Sequence, residues 1–376
     1  MGKHLVLAGC GHAHLTVLVD IPRFIAQGHR VTVISPSPFH YYSGMGPGLL
    51  GGAYRPEEVR FHIQRTAEDR GAGFVLGKVV RVEPEGRRLL VDSGETISYD
   101  VVSFNTGSYV PVEEPRGGQA PEIFTVKPIE RLWEARKWIQ QQRLENTFRL
   151  LVVGGGAASV EMAGNAWQAA NQAGVRAEIK VLSGGALLSR FPSRARKLAL
   201  ESFRRRGILW QEGQFITAFA AGGVVSREGK RFPCDAVLWA VGIRPSPIFL
   251  ATGLETDEDG ALLVNRHLQS VSFPTVFGGG DCIGFSPRPL DKVGVYAVRE
   301  NPILNRNLLA ALEGRPLMTF KPQRHYQLIF NLGDGRAISC RRRLIWAGRA
   351  AFRLKDRIDR RFMRRFQVSG ETKQLR

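Results

Sequence analysis

Short apolar runs alternate with glycine-bounded turns along most of this chain, and the first run sets the pattern. Leu5, Val6 and Leu7 are continuously apolar, as expected of a strand covered on both faces, and Gly9 and Gly11 follow at once. His14 to Gln27 then reads as a helix and Arg30 to Ile34 (RVTVI) as a second strand, so residues 4–34 predict a β-α-β unit. Pro22 falls inside the helical stretch and is expected to end or kink it. The same alternation returns at Leu150 to Glu161 (LLVVGGGAASVE). Val152-Val153 reads as strand, Gly154 and Gly156 as turn, Ala158 to Gln172 as helix, and Glu178 to Leu182 as the next strand.

Between these units the pattern changes. Phe39 to Ala53 (FHYYSGMGPGLLGGA) reads as a glycine-rich aromatic loop: either a connector, or a loop lying against a flat ring with Tyr41 and Tyr42 stacking on it. Residues 73–104 read as a β-meander, with apolar runs at Phe74 to Leu76, Val79 to Val82, Leu89 to Val91 and Val101 to Phe104. Glu130 to Asn146 reads as a connecting helix. Tyr99 to Gly107 (YDVVSFNTG) and Cys234 to Pro245 (CDAVLWAVGIRP) are parallel in design, each a strand that exits into glycine. Leu262 to Val264 begins a return segment, and Thr275 to Asp281 (TVFGGGD) is a strand delivering three glycines and a carboxylate.

A strand that runs into GxG and then a helix is the chemistry of a dinucleotide turn. One glycine permits the bend, the next lets backbone approach a pyrophosphate, and the helix N-terminus offers unpaired N–H groups to the anion. Gly9, Gly11 and His12 are the candidates in the first turn, and Gly154 and Gly156 in the second. Thr106, Gly107, Gly242, Gly280 and Asp281 occupy the other strand exits; a carboxylate beside glycines suits a polyol, and the competing reading of Asp281 is a helix cap. Both strands that should end in a ribose-binding acid end instead in serine, at Ser35 and Ser183. Selection of NADH by a carboxylate is therefore in doubt, and NADPH stays open, with Lys180 or Arg190 near a 2′-phosphate. Ser159 stands where a third glycine is expected. Glu161 has two readings: a complement to the positive end in the first turn of its helix, or a proton or hydrogen-bond partner of the reacting ring.

Composition adds one strong feature. The 376 residues carry 53 Lys+Arg against 34 Asp+Glu, a net charge of +19, which implies attraction to something anionic. Four scattered cysteines (Cys10, Cys234, Cys282, Cys340) form no CxxC spacing, which argues against a disulfide framework and a zinc site. No apolar run reaches the length of a transmembrane helix, and Leu5 opens a folded strand with no leader before it, so the expected place is the cytoplasm.

GxG after the first strand, YDxxxxxTG, GGGxxxxE, WAVGIRP and TVFGGGD, in this order, resemble two-dinucleotide-binding flavoproteins of the pyridine nucleotide–disulfide oxidoreductase superfamily. The resemblance covers about residues 3–315. It points toward type II NADH dehydrogenases and sulfide:quinone oxidoreductases, and GCGHAHL, SPxxxxYYSGMGPG, VKPIE and VGVYAVRENPILNRNL are similar to the flavoprotein module fused to selenide, water dikinase. It implies an α/β fold of two Rossmann-like domains, each a parallel sheet with helices and a small meander, plus a basic C-terminal helical region. Residues 1–115 and 250–315 would form the FAD domain, 116–249 the NAD(P) domain and 316–376 the C-terminal region. FAD would sit on Gly9 and Gly11, with Asp281 at its ribityl or pyrophosphate and Ser35 and Tyr42 nearby. NAD(P)H would sit on Gly154 and Gly156. Lys292, Val293 and Gly294 would open a helix whose positive end stabilises a reduced flavin. Glu161 and Lys292 are the catalytic candidates. The implied activity passes hydride from NAD(P)H to FAD and electrons to an acceptor such as a quinone. The paired cysteines of disulfide reductases are missing. The rivals are sulfide:quinone oxidation, which would need Cys10 or Cys282, and a regulatory protein with a degenerate nucleotide site.

From Arg341 to Phe366 basic residues outnumber the acids Asp356 and Asp359, and Leu354, Ile358, Phe362 and Phe366 recur every fourth residue, extended by Ala347 and Ala351. This reads as a basic amphipathic helix. Its partner is an anionic membrane surface, on the cytoplasmic face, or else the protein's own body or a second copy in a homodimer. Nucleic acid is disfavoured because no recognition motif accompanies the charge.

Overall fold

The computed structural model describes residues 2–112, 120–143, 145–342 and 344–371. Two five-stranded parallel sheets organise it. In the first, Val276–Gly278 lies beside Val101–Phe104, then His4–Ala8, Arg30–Ser35 and Gly73–Leu76. In the second, Glu122–Thr125 lies beside Ala236–Trp239, then Thr147–Val153, Arg176–Leu182 and Leu209–Gln211. Both central strands are buried along their apolar runs, which is why these runs do not alternate with polar residues. The doubly wound α/β architecture is the expected one. The expected boundary at residues 115 and 116 lies outside the described residues.

Several elements differ from expectation. Pro22 does not end its helix, which spans Leu15–Ala26 and buries Leu15, Leu18, Ile21 and Phe24 against the first sheet's core. A proline forfeits one intrahelical bond, and that burial outweighs it. Gly73–Leu76 and Val101–Phe104 belong to the parallel sheet, so the meander is only Val79–Glu83, Arg88–Val91 and Thr96–Ser98. The connecting helix stops at Gln140.

The glycine-rich stretch is not an open loop. Phe39–Tyr41 pairs antiparallel with Arg60–His62, and Gly46–Gly51 is a fully buried helical turn. Its glycines permit close packing: a Cβ on Gly48 would lie 2.5 Å from the Tyr54 ring, and one on Gly51 would collide with the Asn165 amide. The C-terminal region opens with an antiparallel sheet of Leu328–Asn331, Ala337–Arg341 and Leu344–Gly348. Ala347 therefore sits in a strand, and the terminal helix runs from Arg349 to Phe366.

That helix buries Ala351 and Phe366 of the expected stripe and packs Phe362 on the core, but its buried face is rotated away from Ile358. Ala351, Lys355, Asp359, Met363 and Phe366 point inward, while Ile358 is 47% exposed. A strict four-residue repeat drifts around a helix of 3.6 residues per turn. The true buried face includes two charged residues that an apolar count passes over.

Candidate functional site

The exits of the first sheet converge on Asn105, which follows Val101–Phe104. Its Oδ1 accepts the Ala13 N–H at 3.2 Å, its Nδ2 donates to the Gly279 carbonyl, and its own N–H donates to Ala8 O at 2.9 Å. Gly9 (φ 78°) gives its N–H to Ile34 O, and a Cβ there would lie 2.6 Å from Asn105 O. Gly280 (φ 76°) would set a Cβ 2.5 Å from Asn105 Nδ2. The glycines here are thus required by close backbone approach as well as by any ligand. Asn105 was not among the candidate residues; its only signal was a polar amide at the strand's end, directly before Thr106 and Gly107.

Around this hub stand polar atoms with no partner. Among the described residues, the buried His12 Nε2, His40 Nε2 and Thr106 Oγ1 have no hydrogen-bond partner. Burial, reinforced by the Lys127 charge, pushes His12 down to about 3, so the ring is neutral. Leaving such groups unsatisfied is costly, which marks a place where a polar ligand completes them. His14, by contrast, is satisfied by Gly9 O at 2.7 Å and Ser103 Oγ at 2.8 Å.

Asp281 accepts from Ser108 Oγ at 2.9 Å and pairs with Lys127, whose Nζ also donates to Ser108 Oγ at 2.7 Å. Lys127 follows Glu122–Thr125 of the second sheet, so this pair joins the two sheets' exits. Lys127 is a second residue the candidates omitted. Glu300 Oε2 accepts the Gly280 N–H at 2.6 Å; burial pushes its carboxyl up to about 8, against the pull of that hydrogen bond.

Other candidates are placed as follows. Ser35 is buried at its strand's end, and its carbonyl accepts the Gly77 N–H. Lys292 Nζ donates to Ile283 O at 2.7 Å and faces Asp257 at 3.9 Å, and its helix begins at Gly294 with Val293 as N-cap. A Cβ on Gly294 would lie 3.5 Å from Ser43 Oγ, so that N-terminus abuts the turn after Tyr42. The Tyr42 ring is already stacked on Phe362 of the terminal helix (4.7 Å between centroids) and tilted on His12 (5.2 Å), and its hydroxyl donates to Asp359 at 3.2 Å. Tyr42 therefore closes on the protein's own terminal helix.

In the second sheet Gly154 (φ 143°) donates to Leu182 O at 2.8 Å, and a side chain there would collide with the Ala240 carbonyl. Gly156 caps the helix Ala157–Ala173 with open space around it, and Ser159 is buried with Oγ unpartnered. Gly242 is exposed after Ala236–Trp239.

Glu161 lies in the second turn of that helix, and the first turn holds no acid, so the reading as a first-turn dipole complement does not stand. Its Oε1 accepts the Asn331 N–H at 2.8 Å. Burial pushes the carboxyl up to about 7; Lys355 and the Asn331 bond pull it down, and Asp359 pushes it up. Lys355 Nζ donates to Asp359 Oδ2 at 2.6 Å and to the Gly44 carbonyl, with side chains only 10% and 6% exposed. Tyr42, Asp359 and Lys355 thus form one hydrogen-bonded network, with Tyr42 against His12 and Phe362, and Glu161 lies within electrostatic reach of Lys355 and Asp359. The sequence candidates included Glu161 and Tyr42 but neither terminal-helix residue.

All four cysteines are free and buried, and burial raises each thiol, Cys340 to about 11 and Cys234 to about 12. Cys10 and Cys282 are raised by burial as well, so none is a ready nucleophile.

A family model described as pyridine nucleotide-disulphide oxidoreductase matches residues 3–300. The NADH dehydrogenase-like protein YutJ of Bacillus subtilis is 24% identical over 76% of this chain and 78% of its own length. The type II NADH:quinone oxidoreductase of Staphylococcus epidermidis is 21% identical over 85% of each chain. The solved sulfide:quinone oxidoreductase of Aquifex aeolicus superposes with a TM-score of 0.79 at 16% identity, covering 99% of this chain and 93% of that one, a likeness of fold.

Proposed function

Starting from a chain that belongs to the pyridine nucleotide-disulphide oxidoreductase family, and is an FAD-dependent NAD(P)H oxidoreductase, we propose an enzyme of the NADH dehydrogenase type whose electron acceptor is a quinone. FAD, when bound, accepts hydride from the nicotinamide nucleotide and returns electrons to the acceptor. The first sheet's exits fit that cofactor: a glycine cradle at Gly9, Gly11 and Gly280 for backbone approach, Asp281 for hydroxyls, and the unpartnered His12 Nε2 and Thr106 Oγ1 as groups that need a ligand. Gly154 and Gly156 with the helix they cap would hold the nucleotide's pyrophosphate. In this reading residues 1–115 with 250–315 hold FAD, 116–249 hold NAD(P)H, and 316–376 form the acceptor's wall.

The observation that carries the quinone is the Tyr42–Asp359–Lys355 network against Phe362, with the buried Glu161 carboxyl within electrostatic reach of it. Reducing a quinone consumes protons as well as electrons, and a carboxyl pushed up to about 7 can hold or release one near neutral pH. Lys355, held by Asp359 and the Gly44 carbonyl, supplies a fixed cation within electrostatic reach of Glu161 for a carbonyl oxygen gaining charge. Sulfide oxidation is disfavoured because Cys10 and Cys282 are buried thiols.

The terminal helix suits a peripheral seat on an anionic membrane, where such an acceptor resides. Arg353, Arg357, Arg361, Arg364 and Arg365 are exposed around Ile358, and Leu344 is 67% exposed on the neighbouring strand. No helix among the described residues is long and apolar enough to cross a membrane. The test is turnover with NADH or NADPH and a soluble quinone analogue: wild type turns over, and Glu161→Gln loses on the order of a hundredfold in kcat. Reduction of the flavin without transfer to any quinone refutes the acceptor and leaves the family intact.

A further inference from the structure

A nicotinamide nucleotide seated on the second glycine turn would lay its adenosine end along one side of the second sheet. With the pyrophosphate at Gly154–Gly156, the switch in strand order places the adenosine over the carboxyl ends of Arg176–Leu182 and Leu209–Gln211. A carboxylate there usually accepts the ribose hydroxyls of NAD. Ser183 takes that position and is turned inward: Oγ donates to Gly185 O at 2.6 Å, its N–H donates to Gln211 O, and its carbonyl accepts from Gln214.

The neighbouring acids are engaged elsewhere. Glu212, just past Leu209–Gln211, accepts the Leu187 N–H at 2.7 Å and two bonds from Arg196 Nη2 at 2.8 and 3.0 Å. Those contacts hold it as an anion tucked beneath the 183–191 loop. Glu228 accepts from Ser226 Oγ at 2.8 Å.

What the rim does present is cationic and aromatic. The 183–191 loop folds back on the pyrophosphate turn, Leu188 N–H donating to Gly155 O at 2.7 Å, and carries Arg190 exposed at its edge. Phe215 is 51% exposed, packs on Gly184, and has the Arg227 guanidinium 4.3 Å from its centroid. Lys180 is not at this rim: it pairs with Leu209 within the sheet.

Resting on the assignment of the second glycine turn to the nicotinamide nucleotide, we propose that this site takes NADPH in preference to NADH, with Arg190 and Arg227 receiving the 2′-phosphate and Phe215 flanking the adenine. A guanidinium fork matches phosphate oxygens, whereas a ribose 2′-hydroxyl finds no carboxylate here.

The first test compares kcat/KM for the two nucleotides on the flavin-loaded enzyme. The wild type favours NADPH by tenfold or more. Ser183→Glu reverses the ratio, and the pair Arg190→Ala and Arg227→Ala lowers it at least tenfold. The second test needs no variant: calorimetric titration of wild-type protein with 2′,5′-ADP and with 5′-AMP gives at least tenfold tighter binding of the former. Equal or better use of NADH, or equal binding of the two adenylates, overturns the preference while the oxidoreductase reading stands. Failure of both nucleotides to reduce the flavin overturns the preference and the oxidoreductase reading together.

Discussion

At Glu161 burial and a nearby cation act in opposite directions, and burial wins, leaving the carboxyl pushed up to about 7. Turnover should therefore carry a pH dependence centred near neutrality that Glu161→Gln removes along with most of the rate, read from kcat between pH 5.5 and 8.5. Glu300 gives a separate, thermodynamic prediction. Its folded carboxyl is pushed up to about 8, above the unfolded value near 4.5, so the folded state binds more protons across that interval and stability falls as pH rises through it. A tenfold difference in proton affinity between the folded and unfolded chain is worth about 1.4 kcal/mol. Relative to Glu300→Gln, the thermal midpoint of the flavin-free wild type should therefore fall from pH 5 to 8, so the substitution makes the pH slope more positive. A slope unchanged by the substitution would show that Glu300 is not its source. The glycines and Asp281 were legible because GxG and GGGD are local patterns with a backbone reason. Asn105 and Lys127 were not, because their roles come from contacts to Gly279 and Asp281, far away in the chain.

At the scale of elements, alternation of apolar runs with glycine turns identified the central strands of both parallel sheets, while Gly73–Leu76 and Val101–Phe104 were read into the meander. It failed where tertiary contact overrides local preference. Gly46–Gly51 has the composition of a loop, yet it is helical because only glycine lets it touch Tyr54 and Asn165. The terminal helix was legible as basic and amphipathic, with Ala351, Phe362 and Phe366 on the packed side, but Lys355 and Asp359 lay outside the apolar stripe and so were missed. Their pairing has a measurable consequence. Lys355→Met alone leaves Asp359 without its cation and should destabilise by about 3–5 kcal/mol, while Lys355→Met with Asp359→Leu should recover most of that loss, as followed by urea unfolding. Equal destabilisation by the single and double variants would mean that the pair is not coupled.

At the scale of the whole molecule, the two parallel sheets meet through the Lys127–Asp281 pair, and the C-terminal region closes over their junction through Glu161–Asn331 and Tyr42–Asp359. A net charge of +19 with arginines around Ile358 predicts sedimentation with vesicles containing anionic lipid and not with neutral ones. Ile358→Glu should weaken that binding about tenfold at fixed salt, and an unchanged affinity would remove the helix from the contact. The central claim is that electrons pass from a nicotinamide nucleotide through bound flavin to a quinone. The direct measurement is an anaerobic absorbance experiment on the flavin-loaded protein, adding NADPH or NADH and then a quinone analogue. The nucleotide should bleach the flavin band and the quinone should restore it within the turnover time. A band that sulfide bleaches and neither nucleotide does, or one that no quinone restores, would contradict that claim.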